Sequence, residues 1–377
     1  MPLYWRLSGF YFFYFASLGA LVPYWSLYLQ SRGFGGAQIG ELVAILMATK
    51  LVAPNVWGWI ADHSGRRMAI IRAASLLSVL AFAAVFWSGG YWSLALVIAG
   101  FSFFWNASLP QFEAVTLSHL GADSHRYSSI RLWGSIGFIL AVVALGPVLD
   151  RFGAGLLPGV LIVLFAAIWL SSLSVPEAPG GVHPEEHEPL RQVLRRPAVL
   201  TLLSVCFLMQ ASHGPYYTFY TLYMEEAGYS RGQIGWLWAL GVVAEIGVFL
   251  VMHRWLPHFG ARALLLASLA LTSLRWCLIA AFPDLLPVVL LAQTLHAASF
   301  GIYHAVAIHL IHRMFVGRNQ GRGQALYSSL SFGAGGAVGS LAAGYVWAGI
   351  GHPAAYYMAA LLSCGALLLA WQGRLSE

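Results

Sequence analysis

A shift of 195 residues lays the first half of this chain on the second without a gap. Ala16-Ser17-Leu18-Gly19 meets Ala211-Ser212-His213-Gly214, and Ser26-Leu27-Tyr28-Leu29 meets Thr221-Leu222-Tyr223-Met224. Gly33-Phe34 meets Gly228-Tyr229, and Gln38-Ile39-Gly40 meets Gln233-Ile234-Gly235. Each match lies in or beside a long apolar stretch. A chain duplicated in this way folds as two similar bundles. Repeated blocks of membrane helices are the ground plan of secondary transporters, whose substrate site lies at the repeat interface. The same shift sets Lys50, the only lysine, against Glu245.

Composition names the solvent. The 377 residues are 59% hydrophobic and 9% charged, whereas a soluble domain carries about 25% charged residues. Lipid must therefore cover most of the surface. The net charge of +6 does not indicate nucleic acid, because the arginines sit in short connections between apolar runs. Cys206, Cys277 and Cys364 lie inside those runs at unrelated spacings, so neither a disulfide framework nor a zinc site is expected. Residues 8–29 resemble a signal peptide in apolarity. They are too long for one and recur near residue 205, so they read as a span.

A span needs about 20 apolar residues. Spans are predicted near residues 4–30, 38–61, 68–88, 92–118, 127–149, 154–174, 197–224, 233–254, 262–282, 285–311, 322–347 and 353–371. The runs are continuous rather than alternating, which means helices and not a barrel. The even-numbered connections hold Arg66, Arg67, Arg72, Arg126, Arg191, Arg195, Arg196, Arg254, Arg262, Arg313, Arg318 and Arg322, and Arg6 and Arg374 flank the ends. The odd-numbered connections hold only Arg32, Arg151 and Arg231. By the positive-inside rule both termini are expected on the cytoplasmic side; the expected location is a bacterial inner membrane.

The expected fold is an all-α membrane protein with two pseudo-twofold-related six-helix bundles, residues 1–174 and 197–377. A cytoplasmic linker, 175–196, joins them. Its start is rich in proline and glycine, and Leu190–Arg196 reads as a short amphipathic turn. His183-Pro184-Glu185-Glu186-His187 matches an H-x-x-E-H metalloprotease pattern. It contains a proline and lies in a linker, so no metal is expected there.

A charge at mid-bilayer costs about 2.5–3.5 kcal/mol on insertion scales and is functional by default. Lys50, Glu245 and Arg275 fall near the middles of spans 2, 8 and 9, and His213 and His296 near those of spans 7 and 10. Glu113 lies two turns toward the cytoplasm from the centre of span 4, and Arg131 enters span 5 from the same side, so a Glu113–Arg131 pair is expected. Burial raises a carboxylate pKa and a neighbouring arginine lowers it, so such a group can exchange a proton as its cavity opens and closes. Glu113 or Glu245 is therefore expected to carry a proton inward, with His296 assisting. His304 is a weaker pathway candidate, and His309 is expected to reach the cytoplasmic interface.

Spans 1 and 7 are aromatic: Tyr11, Phe12, Phe13, Tyr14, Phe15, Tyr24, Trp25 and Tyr28 in one, Tyr216, Tyr217, Phe219, Tyr220 and Tyr223 in the other. Interfacial belts explain part of this, and the deeper rings would line a cavity. Gly333, Gly335, Gly336, Gly339 and Gly344 make span 11 a helix suited either to sliding or to static close packing. An intramembrane enzyme would need a concentrated catalytic set, and none is present. His119 and Asp123 are one residue too close for the acyltransferase spacing, and no P-loop occurs.

Gly58-Trp59-Ile60-Ala61-Asp62-His63-Ser64-Gly65-Arg66-Arg67 resembles the loop signature of the major facilitator superfamily. Gly58 would permit close helix contact and Gly65 the tight turn. Asp62 would accept from a neighbouring helix N-terminus, and Arg66 and Arg67 would anchor the cytoplasmic face. Pro110-Gln111-Phe112-Glu113, Tyr127, Arg131-Leu132-Trp133-Gly134-Ser135, Gly241-Val242-Val243-Ala244-Glu245, Leu274-Arg275-Trp276 and Leu295-His296 resemble the phenylpropionate-permease branch of that superfamily.

The lactose permease and oligosaccharide–proton symporters are similar at greater distance, through Glu113, Arg131, Arg275 and Thr294-Leu295-His296. There the matching residues bind sugar and couple it to a proton. Three positions depart from that cousin. Its proton-carrying helix-10 carboxylate falls on Ser299, its helix-8 acid lies about one turn from Glu245, and its sugar-stacking tryptophan falls on Phe138. The resemblance implies the major facilitator fold and proton symport of a small organic solute. With Lys50, Arg131 and Arg275 beside deep rings, an aromatic monocarboxylate fits best. Symport of a sugar or nucleoside, export, and a non-transporting sensor are the alternatives. The expected partners are substrate, proton and bilayer, with no nucleic acid and no cofactor beyond the proton gradient; the chain is expected to act as a monomer.

Overall fold

The computed structural model describes residues 2–177, 190–317 and 319–373. Arg318, Arg374 and the His183–His187 pattern lie outside the described residues. Among the described residues there is no strand, as expected. Helices α1 Leu3–Ser31, α2 Gly36–Ser64, α3 Arg67–Trp87, α4 Tyr91–Leu120, α5 Tyr127–Phe152 and α6 Ala154–Leu173 come from the first half. Helices α7 Pro197–Glu226, α8 Arg231–Phe259, α9 Ala261–Ala281, α10 Leu286–Met314, α11 over 319–349 and α12 His352–Gln372 come from the second. Eleven of these are long and apolar enough to cross a membrane. The exception is α11, whose glycines and serines dilute its hydropathy. A short helix, Leu190–Leu194, precedes α7 and buries Val193.

The repeat register recurs in the backbone. Gly33 and Gly228, at φ 86° and 92°, end α1 and α7 in the left-handed region that glycine tolerates. The amides of Phe34 and Tyr229 then reach back to Leu29 O (3.3 Å) and Met224 O (3.0 Å). The next helix begins the same way twice. Gly35 N donates to Gln38 Oε1 at 3.1 Å, and Ser230 N donates to Gln233 Oε1 at 2.9 Å. Duplicated residues have thus dictated duplicated caps.

Three helices break or widen in their interiors. α7 breaks at His213, where Pro215 lacks the N–H that would continue the ladder. α10 widens to a π-helix over Ala297–Ile302, and α11 does so over Ser329–Gly335. Such widenings cluster at functional sites.

Contacts divide the chain into two compact units. One comprises Met1–Phe34, Ala48–Val182 and Ser230–Trp236; the other comprises Gly35–Met47, His183–Tyr229 and Leu237–Glu377. The start of α2 thus belongs with second-half helices, and the start of α8 with first-half helices. The repeat partners Gly40 and Gly235 sit at these positions. A Cβ on Gly40 would lie 2.6 Å from Gly344 Cα, and one on Gly235 would lie 2.5 Å from Val142 O.

In the first unit, Gly19 of α1 lies against α5, where a Cβ would come within 2.6 Å of Phe138 O. In the second, Gly335 and Gly339 of α11 press against the backbone of Phe207 and Ala211 in α7. The glycines of α11 therefore serve close packing, as small residues do between membrane helices. Gly19→Ala is expected to cost about 1–3 kcal/mol through overpacking, read as a lower thermal midpoint of the detergent-purified protein.

Candidate functional site

Each unit holds charged residues among its apolar helices. In the second unit, Glu245 at the midpoint of α8 lies with its Oε2 3.6 Å from His296 Nε2 on α10. Two glycines make room for the pair. A Cβ on Gly241 would lie 3.3 Å from the His296 ring, and one on Gly301 would lie 3.4 Å from Glu245 Cγ.

Arg275 on α9 is wholly buried beside them. Its Nε donates to Ala292 O (2.9 Å), Nη1 to Ser299 Oγ (2.9 Å) and Nη2 to Gln293 Oε1 (3.2 Å). Its guanidinium lies 4.3 Å from the Tyr216 ring centroid and 4.5 Å from that of Trp276. Neutral acceptors and two π faces thus hold this charge, and Ser299, at the cousin's carboxylate position, contributes a hydroxyl.

Tyr216 completes the cluster. Its hydroxyl donates to Gln293 Oε1 at 3.1 Å, and its ring lies 5.7 Å from that of His296. The π segment begins immediately after His296 and contains Ser299, so it sets the offset that lets both residues face α8 and α9. His213 does not share this role. It is fully buried, its Nδ1 lies 2.9 Å from Met209 O, and Tyr217 and Trp276 enclose the ring. Tyr220 is likewise core, packed on Tyr216 and Trp238. His304 is bonded to Tyr327, 2.9 Å away.

In the first unit the expected direct Glu113–Arg131 bridge is not formed. Tyr127 Oη donates to Glu113 Oε1 at 3.3 Å, while the Arg131 guanidinium sits 3.7 Å from the Phe15 ring centroid. Tyr11, hydrogen-bonded to Thr116 at 3.2 Å, belongs to the same neighbourhood, its ring centroid 5.9 Å from the Arg131 guanidinium. An arginine delocalises its charge onto an aromatic face well enough to be held there without a carboxylate. Lys50 lies on α2, half-buried, with no bonded partner among the described residues. The preceding residue, Thr49, joins Ser102 and Asn106 on α4 through contacts of 2.9 Å.

Phe138 is buried on α5 beside Gly19. Much of the aromatic stripe proves to be core: Phe10 stacks on Phe112 at 3.7 Å, Tyr14 on Trp105 at 4.9 Å, and Tyr24 donates to Val142 O at 2.8 Å.

The loop signature forms its own network. Gly65 turns at φ 64°, and Arg67 Nη2 lies 2.6 Å from Asp62 Oδ1. The acid reaching the N-terminus of α3 is Glu177, whose two oxygens lie 3.1 Å from Met68 N, and not Asp62 as the signature suggests. Asp62 is engaged by Arg67, which also reaches Gln111. Gly58 faces that Gln111 side chain rather than a helix backbone, and Arg66 is exposed. Gln293 and Glu177 escaped sequence reasoning, and Gln111 and Tyr127 entered it only through the family resemblance, because neutral polar residues and a linker acid carry no depth signal. The π segments have no composition signature at all.

The MFS_1 like family model matches residues 4–358. The chain belongs to this family. It is 31% identical over 380 residues to the "Probable 3-phenylpropionic acid transporter" of Escherichia coli (strain K12), covering 97% of this chain and 96% of that protein. It is 27% identical over 349 residues to the "Maltose permease" of Geobacillus stearothermophilus, covering 89% and 86%. The crystal structure of a point mutant of the nucleoside transporter NupG superposes with a TM-score of 0.88 at 16% identity over 98% of this chain and 99% of that one, which shows the shared fold. This MFS_1 like member is a multi-pass membrane transporter, not an enzyme.

Proposed function

We propose that this transporter takes up a small aromatic monocarboxylate together with a proton by alternating access, across a bacterial inner membrane with both termini inside. The observation that carries the anionic substrate is Lys50. It is the only lysine, it lies in the middle of an apolar helix, and no acid is bonded to it among the described residues. A partnerless ammonium at that depth is stabilised by an anion, and the aromatic rings of α1 in the same unit favour a flat apolar body. The Glu245–His296 pair supplies the proton site, and the buried Arg275 beside it keeps the local potential positive.

The similarity to a transporter named for 3-phenylpropionic acid supports the aromatic acid over a sugar. Proteoliposomes that are alkaline inside are the test. Accumulation of radiolabelled 3-phenylpropionate, unaffected by excess maltose or nucleoside and collapsed by a protonophore, is expected. Preference for a neutral sugar, or uptake indifferent to the pH gradient, would refute the assignment.

A further inference from the structure

The two halves use the loop after their second helix differently, and that difference exposes a site. In the first half, Arg67 is neutralised by Asp62 and the N-terminus of α3 is capped by Glu177. The 195-residue register carries Gly65 to Gly260 and Arg67 to Arg262 but carries Asp62 to Pro257 and Glu177 to Gln372. Both acids are thus lost while the arginine and the turn glycine remain, Gly260 again with positive φ (78°).

In place of the acids the structure has a cavity of about 360 Å³, lined by Leu256, Pro257, Gly260, Arg262, His309 and Arg313 among others. Among the described residues Arg262 makes one hydrogen bond, Nη2 to Trp371 O at 2.8 Å, and no side chain caps the first turn of α9. Nothing acidic compensates the charge nearby in sequence. There is no Asp or Glu between Glu245 and Asp284, nor between Asp284 and Glu377.

We propose that this cavity binds the phosphate of an anionic phospholipid headgroup, two arginines of the second bundle taking from the bilayer the negative charge that the first bundle supplies from its own chain. Arginine forks match phosphate oxygens, and basic pockets between membrane helices hold anionic headgroups. The lipid source is favoured over free phosphate by the surroundings. Phe259 and Trp255, one turn apart on α8, are exposed apolar rings, and Leu256 and Leu310 line the cavity itself. Such a rim suits glycerol and acyl chains and gives nothing to a bare ion. The site does not depend on which solute is carried.

The test uses the full chain in a mild detergent. Thermal unfolding is followed with phosphatidylglycerol, with phosphatidylcholine of the same acyl chains, and with sodium phosphate. Phosphatidylglycerol alone is expected to raise the midpoint by several degrees, as a ligand binding only the folded state does. Arg262→Gln/Arg313→Gln should lose at least half of that shift, and native mass spectrometry should show fewer retained phosphatidylglycerol molecules. Pro257→Asp, which restores the acid of the first half opposite Arg262, should lose it too while keeping the lipid-free midpoint; it decides the matter if the double variant does not fold. An equal shift with phosphatidylcholine, the same shift with phosphate alone, or a full shift in Pro257→Asp would each overturn the proposal.

Discussion

Glu245→Gln is expected to abolish uphill accumulation, bringing the internal-to-external substrate ratio to one, while exchange of labelled for unlabelled substrate continues. The amide keeps the size and much of the hydrogen bonding of the carboxyl but cannot take up a proton, so only steps that need the proton are lost. The position singles out this residue: it is the midpoint of α8, 3.6 Å from His296, on a surface cleared by Gly241 and Gly301. Arg275 is saturated by Ala292, Gln293 and Ser299, so it does not tie the carboxylate up in a closed pair.

Glu113 is bonded to Tyr127, and its arginine is stacked on Phe15. Glu113→Gln is accordingly expected to lower the uptake rate several-fold and leave accumulation above one. Ion-gradient-driven uptake and counterflow, measured in the same vesicles, separate the two losses. Accumulation surviving in Glu113→Gln/Glu245→Gln would remove both carboxylates from the proton path.

The fold was legible because its signal is long-range and redundant. Twelve apolar runs, a 195-residue register and arginine-rich alternate connections agree with one another, and the register extends to paired caps at Gly33/Gly228 and Gln38/Gln233. Depth in an apolar run likewise pointed to Glu245, Arg275 and His296, which the structure brings together. For His213 it left two readings open, because depth does not distinguish a histidine whose Nδ1 meets Met209 O from one facing a carboxylate.

The direct Glu113–Arg131 pairing also failed. Spacing along two helices says that two side chains enter from one side, but not that an intervening ring such as Phe15 offers the guanidinium a better seat. The offset of Ser299 toward Arg275 depends on a π segment, a matter of one extra residue per turn that no periodicity in so uniformly apolar a run records.

The second large effect concerns Lys50. Lys50→Gln is expected to raise the half-saturating concentration of an aromatic carboxylate about 10- to 100-fold, the equivalent of losing a charge-assisted hydrogen bond of about 1.5–3 kcal/mol. Lys50→Arg should restore part of the affinity, since the charge returns with a bulkier, planar head. The expectation turns on what the protein itself does with the ammonium. Arg275 has three internal acceptors and Arg131 has an aromatic face, so each is held in the unloaded protein. Among the described residues Lys50 has neither, and its α2 neighbour Thr49 is already committed to Ser102 and Asn106. An anion that enters therefore gains a contact at Lys50 without breaking one. The decisive comparison is a carboxylic acid against its primary amide, the same body without the charge. Lys50→Gln should penalise the acid and leave the amide nearly unchanged; an equal loss for both would assign Lys50 to helix packing and remove the anion from the substrate's description.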